Sequence, residues 1–208
     1  MVAVTQPDDN PDRDVPREPS RPPGQNDGGQ VFYNEPLNYA PVGARIPDRL
    51  AAGVLCTGAI VFEGPEEFVI DFVQNLARPP RIGARIVVTP KVMSEFIAAL
   101  QDNLRKYEQT FGPPKTLPAP RMDRQPTVQE VYDELRLPDE QLSGAYATTV
   151  MIGHSPSEFY LDFITRFFPK AAVSARVYMS ASQVPGVLAA LSSSLQKHRA
   201  SRQPPREP

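Results

Sequence analysis

Six side chains recur in a pattern that could carry chemistry: Glu67, Asp71 and Arg85, then Glu158, Asp162 and Arg176, each 91 positions later. Paired carboxylates can work as general acid and base. They can also close with a guanidinium as a cross-strand ion pair, contributing about 0 to 1 kcal/mol when exposed, or costing about 3 to 5 kcal/mol to break on one side when buried. A third use is a recognition patch, one per copy, for a partner. Nothing nearby supplies a nucleophile, so no residue is assigned a catalytic role. The six are candidates for partner binding, or for the structural ion pair.

The elements that position them also recur. EEFVIDF at residues 66–72 is matched by SEFYLDF at 157–163, and the ungapped offset aligns Gly53 with Gly144, Pro65 with Pro156, and Leu100 with Leu191. From Gly53 to Tyr107, 14 of 55 positions are identical to their counterparts, which marks a duplicated module. Val54 to Phe62 reads as a strand, Glu63 to Glu66 as a turn and EFVIDFV as its partner strand, a β-hairpin. Period-two alternation puts Phe68, Ile70 and Phe72 on one face and Glu67, Val69 and Asp71 on the other. The second copy repeats this with Ala145 to Ile152, a turn from Gly153 to Pro156, and EFYLDFI. A third strand follows, ARIVV in one copy and ARVYM in the other, and then a helix. Thr89 with Pro90 opens the first helix, and Ser180 with Gln183 suggests a capping box for the second. Met93, Phe96, Ile97, Leu100, Leu104 and Tyr107 form an apolar stripe at helical spacing, and Val184, Val187, Leu188, Leu191 and Leu195 form its counterpart.

Composition sets the boundaries. Of 25 prolines, 18 lie outside the two copies. Residues 1–30 read as a disordered proline-rich tail, 31–49 as an extended arm, and 50–112 as the first β-β-β-α module. Residues 113–126 read as a proline-rich linker, 127–138 as a short helix opened by a Thr127 and Glu130 capping box, and 139–198 as the second module. Residues 199–208 read as a disordered basic tail. A unit of about 60 residues buries only about 60% of its unfolded surface, so the copies are expected to pack together. The fold class is therefore α+β: two tandem modules with antiparallel sheets covered by helices, related by a pseudo-twofold axis as an intrachain dimer.

Other chemistries find little support. The net charge of −2 gives no field that would draw phosphate. Cys56, the single cysteine, aligns with Ala147 and reads as an inert packing position. His154 replaces Glu63 and His198 replaces Tyr107, so neither histidine recurs and no metal or cofactor is expected. The longest uncharged run, Leu50 to Phe62, is too short to span a bilayer, and the acidic, proline-rich start carries no secretory signal, so a cytoplasmic location is expected.

These residues resemble a small bacterial domain family of unknown function. Its pattern is a Tyr-Ala start, a Ser-Pro-x-Glu-Phe-x-x-Asp-Phe hairpin, an Arg-Val strand ending at Ser-Pro or Thr-Pro, and a helix ending near Asn-Leu-x-x-Tyr-Glu. The second copy is similar to its front (Tyr146, Ala147, Ser155, Pro156, Glu158, Phe159, Asp162, Phe163). The first copy is similar to its back (Arg85, Ile86, Thr89, Pro90, Asn103, Leu104, Tyr107, Glu108). Gly64, Leu55, Ala181 and His198 depart from the pattern, which makes the pair asymmetric. The resemblance implies no catalytic residues, and some members' gene positions beside RNA polymerase subunit genes imply a transcription-linked role, with RNA polymerase as one partner. The expected function is a non-enzymatic protein-binding or assembly module, monomeric with an internal pseudo-dimer. The alternative is nucleic-acid binding through Arg85, Arg176, Tyr160, Tyr178 and the basic tail.

Overall fold

The computed structural model describes residues 44–115, 127–167 and 170–202. The expected tail at 1–30, most of the arm and of the proline-rich linker, and residues 203–208 lie outside them. Among the described residues the strands form two four-stranded sheets. The first copy supplies β2 (Gly58–Glu63), β3 (Phe68–Gln74) and β4 (Arg81–Val88), antiparallel throughout. The second supplies β6 (Thr149–His154), β7 (Glu158–Phe167) and β8 (Lys170–Ser180) in the same arrangement.

Each sheet is completed by the other copy. β1 (Val54–Cys56) leaves the first copy and pairs in parallel with β8, while β5 (Ala145–Tyr146) leaves the second and pairs in parallel with β4. The sheets are thus antiparallel through three strands and parallel at one edge. The continuous strand expected from Val54 to Phe62 is broken at Thr57, whose amide (2.8 Å) and hydroxyl (3.2 Å) both donate to the Val73 carbonyl. Thr148 does the same to Ile164, at 2.9 and 3.2 Å. A threonine kept in both copies therefore turns each strand from one sheet into the other. A matching irregularity follows in the long hairpins, where the pairing slips between Phe72 and Val73 and between Phe163 and Ile164. Gly83 and Ser174 are the extra residues opposite these β-bulges.

Apart from the short α1 (Asp48–Ala51) that leads towards β1, the helices cross over as well. α2 (Pro90–Phe111) packs on β6 of the second copy, α4 (Val184–Ser201) packs on β2 of the first, and the two helices pack on each other. Thr89 caps α2 by accepting from the Val92 amide, with Pro90 in the first turn. The stripe lies inside as expected, with Met93, Phe96, Ile97, Leu100 and Tyr107 buried and Leu104 half-buried. Phe72 and Phe163 meet across the pseudo-twofold axis at 5.5 Å, and Phe96 stands edge-on to Phe163. Each such side chain contributes roughly 1.5 to 3 kcal/mol by burial, and each helix lays its stripe on the other copy's sheet and on the other helix.

Two expectations about α4 need correction. The capping box of Ser180 and Gln183 does not form: residues Ala181–Gln183 make a 3-10 turn, the Ser180 hydroxyl pairs with Ser182, and α4 begins at Val184. Pro185 is the cause, because its ring would clash with the Ala181 carbonyl in a continuous α-helix. At the other end, residues 199–201 are helical rather than tail. They are held to the β2–β3 turn by Ser201 on Glu63 (3.4 Å) and Arg202 on Glu66 (2.7 Å).

Because both sheet and helix are exchanged, residues 44–115 and residues 127–202 made as separate chains are each expected to be unfolded and to fold on mixing. Circular dichroism and amide proton–nitrogen spectra read this directly; a half that folds alone would show the exchange to be dispensable.

Candidate functional site

β3 and β4 place Asp71 directly opposite Arg85, and β7 and β8 place Asp162 opposite Arg176. In each pair the guanidinium Nε and Nη2 donate to the two carboxylate oxygens at 2.7 Å, a two-pronged charge-assisted contact. Both aspartates are fully buried, and the arginine side chains are 18% and 15% exposed. The hydrogen bonds to Asp71 and Asp162 push the Arg85 and Arg176 pKa values upward, so both stay charged.

The remaining guanidinium nitrogen reaches the other copy. Arg85 Nη1 donates to the Leu142 carbonyl at 3.3 Å, and Arg176 Nη1 donates to the Ala51 carbonyl at 3.4 Å. Two residues on, Gly144 (φ 70°) and Gly53 (φ 62°) turn the chain into β5 and β1. A Cβ at Gly144 would lie 2.9 Å from Arg85 Cγ, and one at Gly53 would lie 2.8 Å from Arg176 Cγ. Left-handed backbone and lack of room together require glycine at both places.

Glu67 and Glu158 do not join these pairs. Four residues along a strand separate them from the aspartates by about 13 Å, at about 3.3 Å per residue, so one arginine cannot serve both acids. Glu67 instead accepts from the Glu66 amide at 3.2 Å, and Glu158 is held below the usual carboxylate range by hydrogen bonds with Ser155 and Ser157. Both serve their hairpin turns.

The two outer faces over the ion pairs differ. On the first sheet, α3 (Val128–Glu134), opened by the capping box of Thr127 and Glu130, lays Tyr132 over the pair. The Tyr132 hydroxyl donates to Asp71 Oδ2 and its ring packs on Phe62 at 5.3 Å. Burial and then the hydrogen bond to Asp71 push its pKa well up. The sequence reading did not single out Tyr132, because the offset of 91 sets Pro41 against it and leaves it without a counterpart. On the second sheet the same face carries a row of cross-strand neighbours, Leu55, Tyr178 and Tyr160, with Met151 and Ile46 beside it. Met151 is 51% exposed, Leu55 46%, Ile46 39% and Tyr160 36%. A shallow cavity of about 260 Å³ opens there, its walls including Ala44, Ile46, Met151, Tyr160 and Tyr178 around the Asp162 and Arg176 pair.

The exchange also explains the two histidines. His198 reaches Glu63 at 3.0 Å, whereas at the equivalent place Tyr107 donates to the Pro156 carbonyl at 2.9 Å and packs against His154. Among the described residues no cluster of three or more His, Cys, Asp or Glu side chains gathers to hold a metal. Cys56 is buried beside Gly83, and burial pushes its thiol up to about 12.

Two interlocked copies of one unit, a short exchanged strand, three antiparallel strands and a helix, fastened by a repeated aspartate and arginine, define a tandem-repeat α+β protein. The chain belongs to the DUF3467 family of proteins of unknown function, whose model matches it twice, over residues 18–116 and 118–202. No curated protein matches it.

Asp71→Ala and Asp162→Ala are each expected to cost about 3 to 5 kcal/mol in urea unfolding, while Glu67→Ala stays within about 0.5 kcal/mol. Similar losses at all three positions would remove the special place of the pair. Cys56 is expected to resist thiol reagents near neutral pH until the chain is unfolded, because only the thiolate reacts; prompt labelling of the native protein would contradict its burial.

Proposed function

We propose that this chain is a cytoplasmic protein-binding or assembly module, a monomer built as an internal pseudo-dimer, whose interaction surface is the outer face of the second sheet. The observation that carries the reading is the contrast between the two copies. One copy of the repeated face is covered by a short helix that seats an aromatic ring, and the other presents Leu55, Tyr160, Met151 and Ile46 to solvent. Three large side chains on one sheet face, with Ile46 beside them, form the kind of patch that marks interaction sites. The partner's chemistry follows from α3: a short protein segment with an aromatic side chain at its centre. Tyrosine and methionine on the receiving surface suit this, since both pack against varied apolar shapes.

The ion pairs weigh against the nucleic-acid alternative. Arg85 and Arg176, the cations it would use on the strand faces, are each matched by a buried aspartate. Among the described residues no helix is long and apolar enough to cross a membrane. The transcription-linked role implied by the family resemblance makes RNA polymerase the first partner to try.

A photo-crosslinking residue at position 160 or 151 in the native host is expected to give a discrete protein adduct that survives nuclease, while one at Gln101 on the exposed side of α2 gives none. With the captured protein purified, Tyr160→Glu is expected to weaken binding about tenfold or more, equivalent to about 1.4 kcal/mol. Equal capture from position 101, or adducts only with nucleic acid, would refute the proposal.

A further inference from the structure

The equivalence of the two copies extends upstream of Gly53 and Gly144. Arg45-Ile46-Pro47-Asp48 matches Arg136-Leu137-Pro138-Asp139 at the same offset of 91. Both stretches join their sheets in the same way. Arg136 is bridged to Arg81 by hydrogen bonds of 2.8 Å to the Pro80 carbonyl and 2.9 Å from the Ile82 amide. Arg45 is bridged to Ala172 by bonds of 3.0 Å to the Ala171 carbonyl and 2.8 Å from the Val173 amide. The chain therefore reaches each outer face at the same place and in the same direction. On the first sheet the residues just before that entry are α3, with Tyr132 over Asp71. On the second, the entry is Ala44, which lines the shallow cavity together with Ile46, Met151 and Tyr160.

We propose that in the free chain the open face of the second sheet is occupied by the chain's own residues 37–43, Leu-Asn-Tyr-Ala-Pro-Val-Gly, with Tyr39 placed against Met151 and Tyr160. The proposal rests on the reading of this face as a binding surface and names its resident occupant, which a partner must displace. The chemistry fits on three counts. The segment carries no charge, so it adds no unpaired ion to a face where Asp162 and Arg176 already neutralise each other. Pro41 and Gly43 disfavour a helix, so the sequence does not call for a second α3 here. Five residues from Tyr39 to Ala44 reach up to about 17 Å when extended, enough to cross three strands about 4.8 Å apart. The receiving surface has changed to match. Phe62, the ring that Tyr132 packs on, is replaced by Gly153, and the Tyr160 ring from the neighbouring strand lies over that glycine instead.

The test uses the full chain carrying Cys56→Ala, the residue that the second copy has at the equivalent Ala147, and Ala40→Cys bearing a nitroxide spin label. The amide signals of Met151, Tyr160 and Tyr178 are expected to lose most of their intensity, equally in dilute and concentrated samples, while those of Ile60, Val69 and Val87 on the first sheet keep theirs. Equal signals on both sheets, or loss that appears only on concentration and so comes from a second copy, would overturn the proposal. Tyr39→Ser in the same chain is expected to restore the signals; broadening unchanged by it would also overturn the placement of Tyr39. Failure of the two readings is separable. Loss of partner binding in Tyr160→Glu without any spin-label effect refutes the resident segment alone, and the converse refutes only the partner surface.

Discussion

A guanidinium bound on one side by a carboxylate of its own sheet, and on the other by a carbonyl delivered from the opposite copy, is the contact on which this architecture turns. Arg85 ties Asp71 to Leu142, and Arg176 ties Asp162 to Ala51. A buried aspartate without its arginine would be an uncompensated charge in the sheet, and an arginine without the crossing carbonyl would lose one of its acceptors. The glycines that follow those carbonyls leave space for the arginine stems, so three kept residues, Asp, Arg and Gly, act as one fastening. The exchanged strands and helices then bury a shared core that neither copy has by itself.

Once the copies are fastened in this way, their outer faces are free to diverge. The inner faces must hold Phe72 against Phe163 and Phe96 against Phe163, and close packing tolerates little change there. The outer faces are limited only by the buried pair beneath them. One has gained Phe62 and a covering Tyr132, the other Tyr160 over Gly153 and an exposed Met151. The polar partners have diverged in the same manner at the helix ends, where Glu63 with His198 stands opposite His154 with Tyr107. A symmetric fastening thus leaves a duplicated chain room for asymmetric surfaces.

Much of the fold was legible in the residues. The repeat, the hairpins, the apolar stripes of both helices and the caps at Thr89 and Thr127 all follow from local preference and periodicity, which act over a few residues. The ion pair was half legible: type and spacing put Asp71 and Arg85 on facing strands, yet the same pattern grouped Glu67 with them, although strand geometry separates the two acids. Thr57 and Thr148 stood among the identical positions without their meaning being visible, because a corner between sheets leaves no periodicity of its own. Tyr132 was missed since its importance lies in what it covers, 61 positions away in sequence.

The sequence by itself determined the unit: two β-β-β-α copies, which side chains face inward, and which charged residues recur. Only the tertiary structure decided which copy each strand and helix completes, because a strand of the first copy and its equivalent in the second offer nearly the same backbone and the same apolar face. Local preference is equal for the exchanged and unexchanged arrangements. The choice falls to long-range contacts, the Thr57 and Thr148 corners and the arginine bonds to Leu142 and Ala51, which exist only once both copies are in place.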